Sequence, residues 1–123
     1  MSIIALDYGT HKTGIAYAVE GFALAYQTIP TEKLIEFLAV SLPERKAKKL
    51  VLGMPYNIDG TLSRHAKRVI SFQKLLQKTF PDITVILHDE RLTTSEARLS
   101  GVDDIDAESA RLILEDYIAN QGI

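Results

Sequence analysis

Cysteine is absent from this 123-residue sequence. That absence removes disulfide frameworks, thiol nucleophiles and cysteine-based zinc sites together, and it fits a reducing compartment. Long hydrophobic runs are absent as well: no stretch approaches the roughly 18 consecutive apolar residues of a membrane-spanning helix. The first residues, Met1-Ser2-Ile3-Ile4-Ala5-Leu6-Asp7, offer no basic leader ahead of an apolar run and no small-residue cleavage site. The expectation is therefore a cytoplasmic protein without membrane association. What the chain does have is apolar material, 46% of its residues, enough for one domain over 1–123 whose core needs no disulfide or structural metal.

An excess of either charge is also lacking, since 16 acidic side chains face 14 basic ones for a formal net charge of −2. Taken as a total, this disfavours a nucleic-acid partner, because phosphate binding is driven by lysine and arginine. The distribution says otherwise. Residues 1–60 hold six basic and six acidic side chains, 61–88 hold Arg64, Lys67, Arg68, Lys74 and Lys78 against Asp82 alone, and 89–123 hold nine acids against three arginines. A basic segment lies beside an acidic one.

The first two-thirds of the chain is cleanly punctuated. Ile3 to Leu6 reads as a buried strand ending at Asp7 and Gly9. Gly14 to Val19 and Phe22 to Ile29, separated by Glu20-Gly21, read as a hairpin that completes a three-strand antiparallel meander. Pro30-Thr31 opens a helical pattern with Thr31 as N-cap and Leu34, Ile35, Leu38 and Leu42 at helical spacing up to Pro43. A second buried strand runs from Leu50 to Met54, and Pro55 stops it.

After the turn Asn57-Ile58-Asp59-Gly60, residues 61–79 give a basic amphipathic helix, with Leu62, Ala66, Val69, Gln73 and Leu76 on one side and Arg64, Lys67, Ser71, Lys74 and Lys78 on the other. Ile83 to His88 is a further β-branched strand, followed by Asp89-Glu90-Arg91. Thr93 and Glu96 have capping-box spacing for a short helix, and Asp106 or a neighbour opens a last helix through Tyr117 and Ile118. The order β-β-β-α-β-α-β-α-α implies an α/β fold: a five-stranded mixed sheet, the meander plus two further strands, flanked by helices.

In such sheets reactive groups collect at the carboxyl ends of the strands. Asp7, Glu90 and Asp106 hold positions of that kind, at the end of the first strand, after the last strand and at the mouth of the last helix. Mg²⁺ or Mn²⁺ takes hard oxygen ligands from a few carboxylates plus substrate phosphate oxygens, and supports in-line displacement at phosphorus. Each acid also has an ordinary reading: Asp7 capping the turn at Gly9, Glu90 pairing with Arg91 or a lysine, Asp106 serving only as an N-cap. His11, His65 and His88 have no spacing that suggests a shared metal.

Four blocks, in order, resemble the YqgF/RuvX family of pre-16S rRNA nucleases, also called Holliday-junction-resolvase-like proteins. The resemblance covers essentially the full chain. Asp7-Tyr8-Gly9-Thr10-His11-Lys12-Thr13-Gly14-Ile15-Ala16 is similar to the family's D-x-G-x-x-R-x-G-I/V-A opening, and Leu52 to Thr61 (LGMPYNIDGT) to its G-x-P-x-N-x-D-G-S/T block. Asp89 to Ala97 (DERLTTSEA) matches D-E-R-L/F-S/T-T-x-E-A, and Ile105 to Leu114 resembles the family's final helix.

The resemblance implies an RNase H-like fold, and catalytic and metal-ligating roles for Asp7, Glu90 and Asp106 with Mg²⁺ or Mn²⁺. It also implies hydrolysis of phosphodiesters in structured RNA, the 16S rRNA precursor within a ribosomal particle. Lys12, Asn57, Arg64, Lys67 and Arg91 are the candidate substrate-binding residues. Cleavage of branched DNA at Holliday junctions and non-catalytic binding in ribosome assembly are the alternatives. An ATP-binding module is a further one, since Leu6 to Thr10 (LDYGT) also resembles the first phosphate loop of the actin and sugar-kinase group, though no Walker-A pattern accompanies it.

Three departures stand out. Lys12 replaces the family's usual arginine, which keeps a cation but loses the planar two-pronged contact with phosphate. Val19 stands where an aspartate is common, and Gly101-Val102-Asp103-Asp104 is a short acidic stretch where a longer lysine-rich loop is usual.

Overall fold

The computed structural model describes residues 2–57, 59–89 and 103–121. Alternation with a period of two builds the first strand, β1 (Ile3–Asp7): Ile4 and Leu6 face one side of the sheet and Ile3 and Ala5 the other. β2 (Lys12–Val19) and β3 (Phe22–Pro30) pair antiparallel, joined by Glu20 (φ 53°) and Gly21 (φ 85°). Two consecutive positive φ values are those of a two-residue type I′ turn, whose twist matches the flanking strands.

A 3-10 turn, Thr31–Lys33, leads into helix α1 (Leu34–Glu44), and β4 (Lys49–Met54) and β5 (Thr84–Asp89) bracket helix α2 (Arg64–Thr79). Helix α3 spans Ile105–Asn120. The strand order is β3-β2-β1-β4-β5, antiparallel across β3-β2-β1 and parallel across β1-β4-β5. The five-stranded mixed sheet with its antiparallel meander is the one the sequence predicts.

Helices cover both faces. On one, Ile4, Leu6, Ile15, Leu50, Leu52 and Met54 meet Leu34 and Leu38 of α1 and Ala66, Val69, Phe72 and Leu76 of α2. On the other, Ala5, Ala16, Ala18 and Val51 meet Ala110, Ile113, Leu114 and Tyr117 of α3. The small side chains on β1 and β2 let α3 lie close to the strands. Thus the end of β1 and the start of α3 come together.

The expected boundaries shift at two places, and between the candidates for a third the fold chooses. Thr31 does not cap α1. Its hydroxyl donates instead to the Gly9 carbonyl at 2.7 Å and meets the buried Thr13 hydroxyl at 2.9 Å, because a partner across the fold captures the group that would serve a local cap. α2 starts at Arg64 rather than 61, with Ser63 as N-cap accepting from the Ala66 amide at 3.0 Å, so Leu62 falls outside the helix and is exposed. The cap of α3 is Asp104, which accepts from the Ala107 amide at 3.1 Å, and Asp106 is left inside the first turn with its carboxylate free of capping. The short helix expected from Thr93 lies outside the described residues.

Candidate active site

Asp7 is the last residue of β1, and its cross-strand neighbour on β2 is Gly14. The first turn of α3 crosses the sheet at that point. A Cβ on Gly14 would lie 1.9 Å from the Asp106 carbonyl oxygen and 2.8 Å from the Ala107 amide nitrogen. The α3 backbone therefore rests on a strand position that only glycine can occupy, and the contact sets Asp106 beside Asp7. Gly9 has a related task, since a Cβ there would meet the Lys12 carbonyl oxygen at 2.4 Å. The loop from Tyr8 to His11 is folded back tightly. It is held by Thr31, whose amide donates to the His11 carbonyl at 2.9 Å and whose hydroxyl reaches the Gly9 carbonyl.

The electrostatics follow from this placement. Burial pushes the Asp7 carboxyl up to about 6, and the Asp106 carboxylate next to it adds to the rise. Asp106 is paired with the Lys12 ammonium at 3.1 Å, a contact in which the lysine end is largely exposed. Asp104, the cap, is held below the usual carboxylate range by the Thr28 hydroxyl first and the Ala107 amide second. Thr28 lies on β3, so Asp104 ties the start of α3 to the meander as well as to its own helix.

β4 and β5 end on the same edge of the sheet, with Met54 paired to Asp89. Glu90 and Arg91 are the next residues and lie outside the described residues. Among the described residues no group of three acidic or histidine side chains gathers as a metal site; of the predicted acids, the structure describes Asp7 and Asp106 and brings them together. Their chemistry fits a hard divalent cation. A half-buried, poorly solvated carboxylate disfavours its own charge beside a second carboxylate, and a cation between oxygen ligands relieves both penalties.

The predicted substrate residues divide. Lys12 is at the acids. Arg64 and Lys67 lie on an exposed stripe of α2 that borders Tyr8, the residue following Asp7. Asn57 is engaged in its own turn, where its side-chain amide donates to the Thr61 hydroxyl at 2.9 Å and its carbonyl accepts from the Gly60 amide at 2.8 Å. Asp59 closes the same turn on the Thr61 amide and hydroxyl, at 2.9 and 2.7 Å.

Two contacts near the site escape the sequence reading. His65 Nε2 lies 2.8 Å from the Tyr8 carbonyl oxygen, and the Tyr8 ring stacks on Phe72 with 4.2 Å between centroids. A lone histidine and a tyrosine 57 residues apart carry no spacing signal. Of the dual role of Asp104 only the capping half is legible in the sequence, because Asp103, Asp104 and Asp106 all precede the same apolar run and only the fold ranks them.

A family model described as RuvX, Holliday junction resolvase, matches residues 1–120. The chain is 30% identical over 130 residues to a protein of Bacteroides fragilis named "Putative pre-16S rRNA nuclease", covering 94% of each. Proteins with the same name from Flavobacterium johnsoniae and Buchnera aphidicola are 32% and 35% identical over 133 residues, covering 97% and 95% of this chain and 96% of each relative. Among solved structures, Pelota of Archaeoglobus fulgidus superposes with a TM-score of 0.51 at 13% identity, over 98% of this chain and 36% of that one, a likeness of fold alone. With the sheet order, the strand-end acids and a match over nearly its whole length, the chain belongs to the RuvX family and has its RNase H-like fold.

Proposed function

We propose that this chain is a metal-dependent nuclease of one domain that hydrolyses phosphodiester bonds in structured RNA, in maturation of the 5′ end of the 16S rRNA precursor. The observation that carries the reading is the half-buried Asp7 carboxyl, set beside Asp106 at the carboxyl edge of the sheet and raised to about 6. Two acids held together against their mutual repulsion are an expensive arrangement for a merely structural purpose and a serviceable one for a divalent cation. The names of the curated relatives support the RNA substrate.

Asp7 and Asp106, with Glu90 completing the set, would hold Mg²⁺ or Mn²⁺; such a cation, when bound, supplies a water acidic enough to attack and neutralises charge on the phosphate oxygens. The chain's own residues do the rest. β1 fixes Asp7 from one side and the α3 backbone, seated on Gly14, fixes Asp106 from the other, so the two carboxylates are aimed before any ligand arrives. Lys12 balances Asp106 and offers a cation to a phosphate at the same edge. Arg64 and Lys67 attract the backbone beyond it. No helix of the described residues is long and apolar enough to cross a membrane.

Asp7→Asn keeps the shape and removes the charge. It should abolish Mg²⁺- or Mn²⁺-dependent cleavage of a 16S precursor fragment while the protein still folds; undiminished cleavage by this variant refutes the mechanism. The description of the family model favours a second reading, cleavage of Holliday junctions. Assaying the wild type on the precursor RNA and on a four-way DNA junction decides between them. A chain that binds RNA and cuts neither substrate would be an assembly factor.

A further inference from the structure

The exposed face of α2 repeats a pattern that phosphate binding alone does not require. Arg64, Lys67 and Arg68 form a cationic ridge at helical spacing, and the helix contains no acid. None of the three makes an ion pair with another described residue. Beside the ridge the floor is apolar: Phe72 and Tyr8 stacked ring on ring, and Leu75, which is 49% exposed. Ridge and floor together line an open cavity of about 480 Å³.

The cavity adjoins the acids. Tyr8 is the residue after Asp7, one Cα step of about 3.8 Å away, and its carbonyl is fixed by His65 at the start of α2. A strand leaving the site along α2 therefore passes directly into it.

Resting on the nuclease reading above, we infer that this groove is the seat of an unpaired nucleic-acid strand flanking the scissile phosphate, with a base laid over Leu75 and Tyr8, which Phe72 supports from the core, and its phosphates on Arg64, Lys67 and Arg68. The cations and the apolar floor point to the same occupant. A duplex keeps its base faces stacked inside and meets a protein surface mainly with phosphates and sugars, so it could satisfy the ridge but would leave Leu75 and Tyr8 covered by charged backbone. An unpaired strand offers a π-face to the floor and a phosphate to the ridge at each nucleotide, the combination by which single strands are held without regard to sequence. The substrate implied is one with a single-stranded stretch next to its cleavage point.

Binding is read by fluorescence anisotropy in EDTA, where no cleavage occurs, with a labelled oligonucleotide of about 12 nucleotides. RNA and DNA versions are each tested as a single strand and as a duplex. Wild type should bind at least one of the single strands about tenfold more tightly than its duplex. Leu75→Ser, at an exposed position, should weaken single-strand binding about fivefold and leave duplex binding unchanged. Arg68→Gln should weaken both and lower the slope of log affinity against log salt by about one. Thermal melting confirms that each variant is folded. Duplex binding as tight as single-strand binding, or a Leu75→Ser variant that binds single strands like wild type, overturns the inference. The two readings fail separately: if only the nuclease reading is wrong, single-strand preference persists in EDTA without any cleavage; if only the groove is wrong, Asp7-dependent cleavage persists without that preference.

Discussion

The peptide backbone at Asp106 lies where a side chain on Gly14 would be: the ideal Cβ position is 1.9 Å from the Asp106 carbonyl oxygen. Contact of backbone with backbone leaves no flexible group to yield. Gly14→Ala must therefore lift the start of α3 from β2. The expected cost is about 3 kcal/mol, the upper end of over-packing penalties, read as a lower urea midpoint. Cleavage should fall with it, because Asp106 moves away from Asp7. An alanine variant with wild-type stability would show that α3 is not seated on β2 as described.

The elevated Asp7 carboxyl makes a stability prediction whose sign is opposite to that of most aspartates. In the unfolded chain the group ionises near 3.8, and in the folded protein near 6. Between those values the folded state holds the extra proton, so stability falls as pH rises through the window. The rise corresponds to on the order of 3 kcal/mol at neutral pH. Asp7→Asn, which has no charge to bury, should thus be more stable than wild type at pH 7 in a chelating buffer. The advantage should fade below pH 4. Urea denaturation of both proteins at several pH values checks it, and a variant that is inactive yet more stable would mark Asp7 as a residue kept for chemistry.

How much of this was legible beforehand depends on the range of the deciding interaction. β1 and β2 could be read because each residue's face follows from alternation, and the apolar side of α2 because Ala66, Val69 and Leu76 recur at helical spacing. Asp7 stood out since a strand that ends in an acid beside glycine is a local feature. Thr31 misled, because the local capping rule lost to Gly9 and Thr13, 22 and 18 residues away in sequence. Helical spacing places Gln73 on the apolar side of α2. Its side chain in fact lies near the Val85 carbonyl at 3.4 Å, a task set by the neighbouring strand. The groove was invisible for the same reason: its cations come from α2, but part of its floor comes from the loop after β1.

Asp104 joins two elements, and its removal should be felt at the site. Asp104→Ala deletes an N-cap, for about 1 kcal/mol, and frees the Thr28 hydroxyl. Because the carboxyl is held below its ordinary value, its stabilisation is complete above the unfolded value of 3.8 and is lost as pH falls through the lowered one. The gap between wild type and variant should accordingly be flat across neutral pH and close in strong acid. Hydrogen exchange at the Ala107 and Glu108 amides, which Asp104 holds through its side chain and its carbonyl, should quicken first. Asp104→Asn, an equally good cap, should restore most of the protection.

Away from the site, the end of α1 carries a correctable strain. Lys46 sits at φ 54° in a closing turn where its amide bonds the Pro43 carbonyl at 3.1 Å and the Ala47 amide bonds the Leu42 carbonyl at 2.9 Å. This is the Schellman arrangement, in which glycine is the favoured residue. Lys46→Gly should stabilise the protein by about 1 kcal/mol, with cleavage unaltered. Thermal denaturation tests the first expectation and a cleavage assay the second.

Lys12 stands where the family's pattern has arginine, and its ammonium neutralises Asp106. A divalent ion arriving at Asp106 must compete with it. Removing the lysine should therefore tighten Mn²⁺ binding while weakening the hold on substrate, two effects of opposite sign from one charge. The pair is largely exposed on the lysine side, so its strength is about 1 kcal/mol, equivalent to roughly fivefold in Mn²⁺ affinity by calorimetry. Lys12→Ala should gain that factor, and its Michaelis constant for RNA should rise. Lys12→Arg should show neither change in metal affinity nor loss of substrate, since the charge is retained and a planar group suits phosphate at least as well. Weaker Mn²⁺ binding by Lys12→Ala would mean that the lysine supports the metal site rather than competing for it.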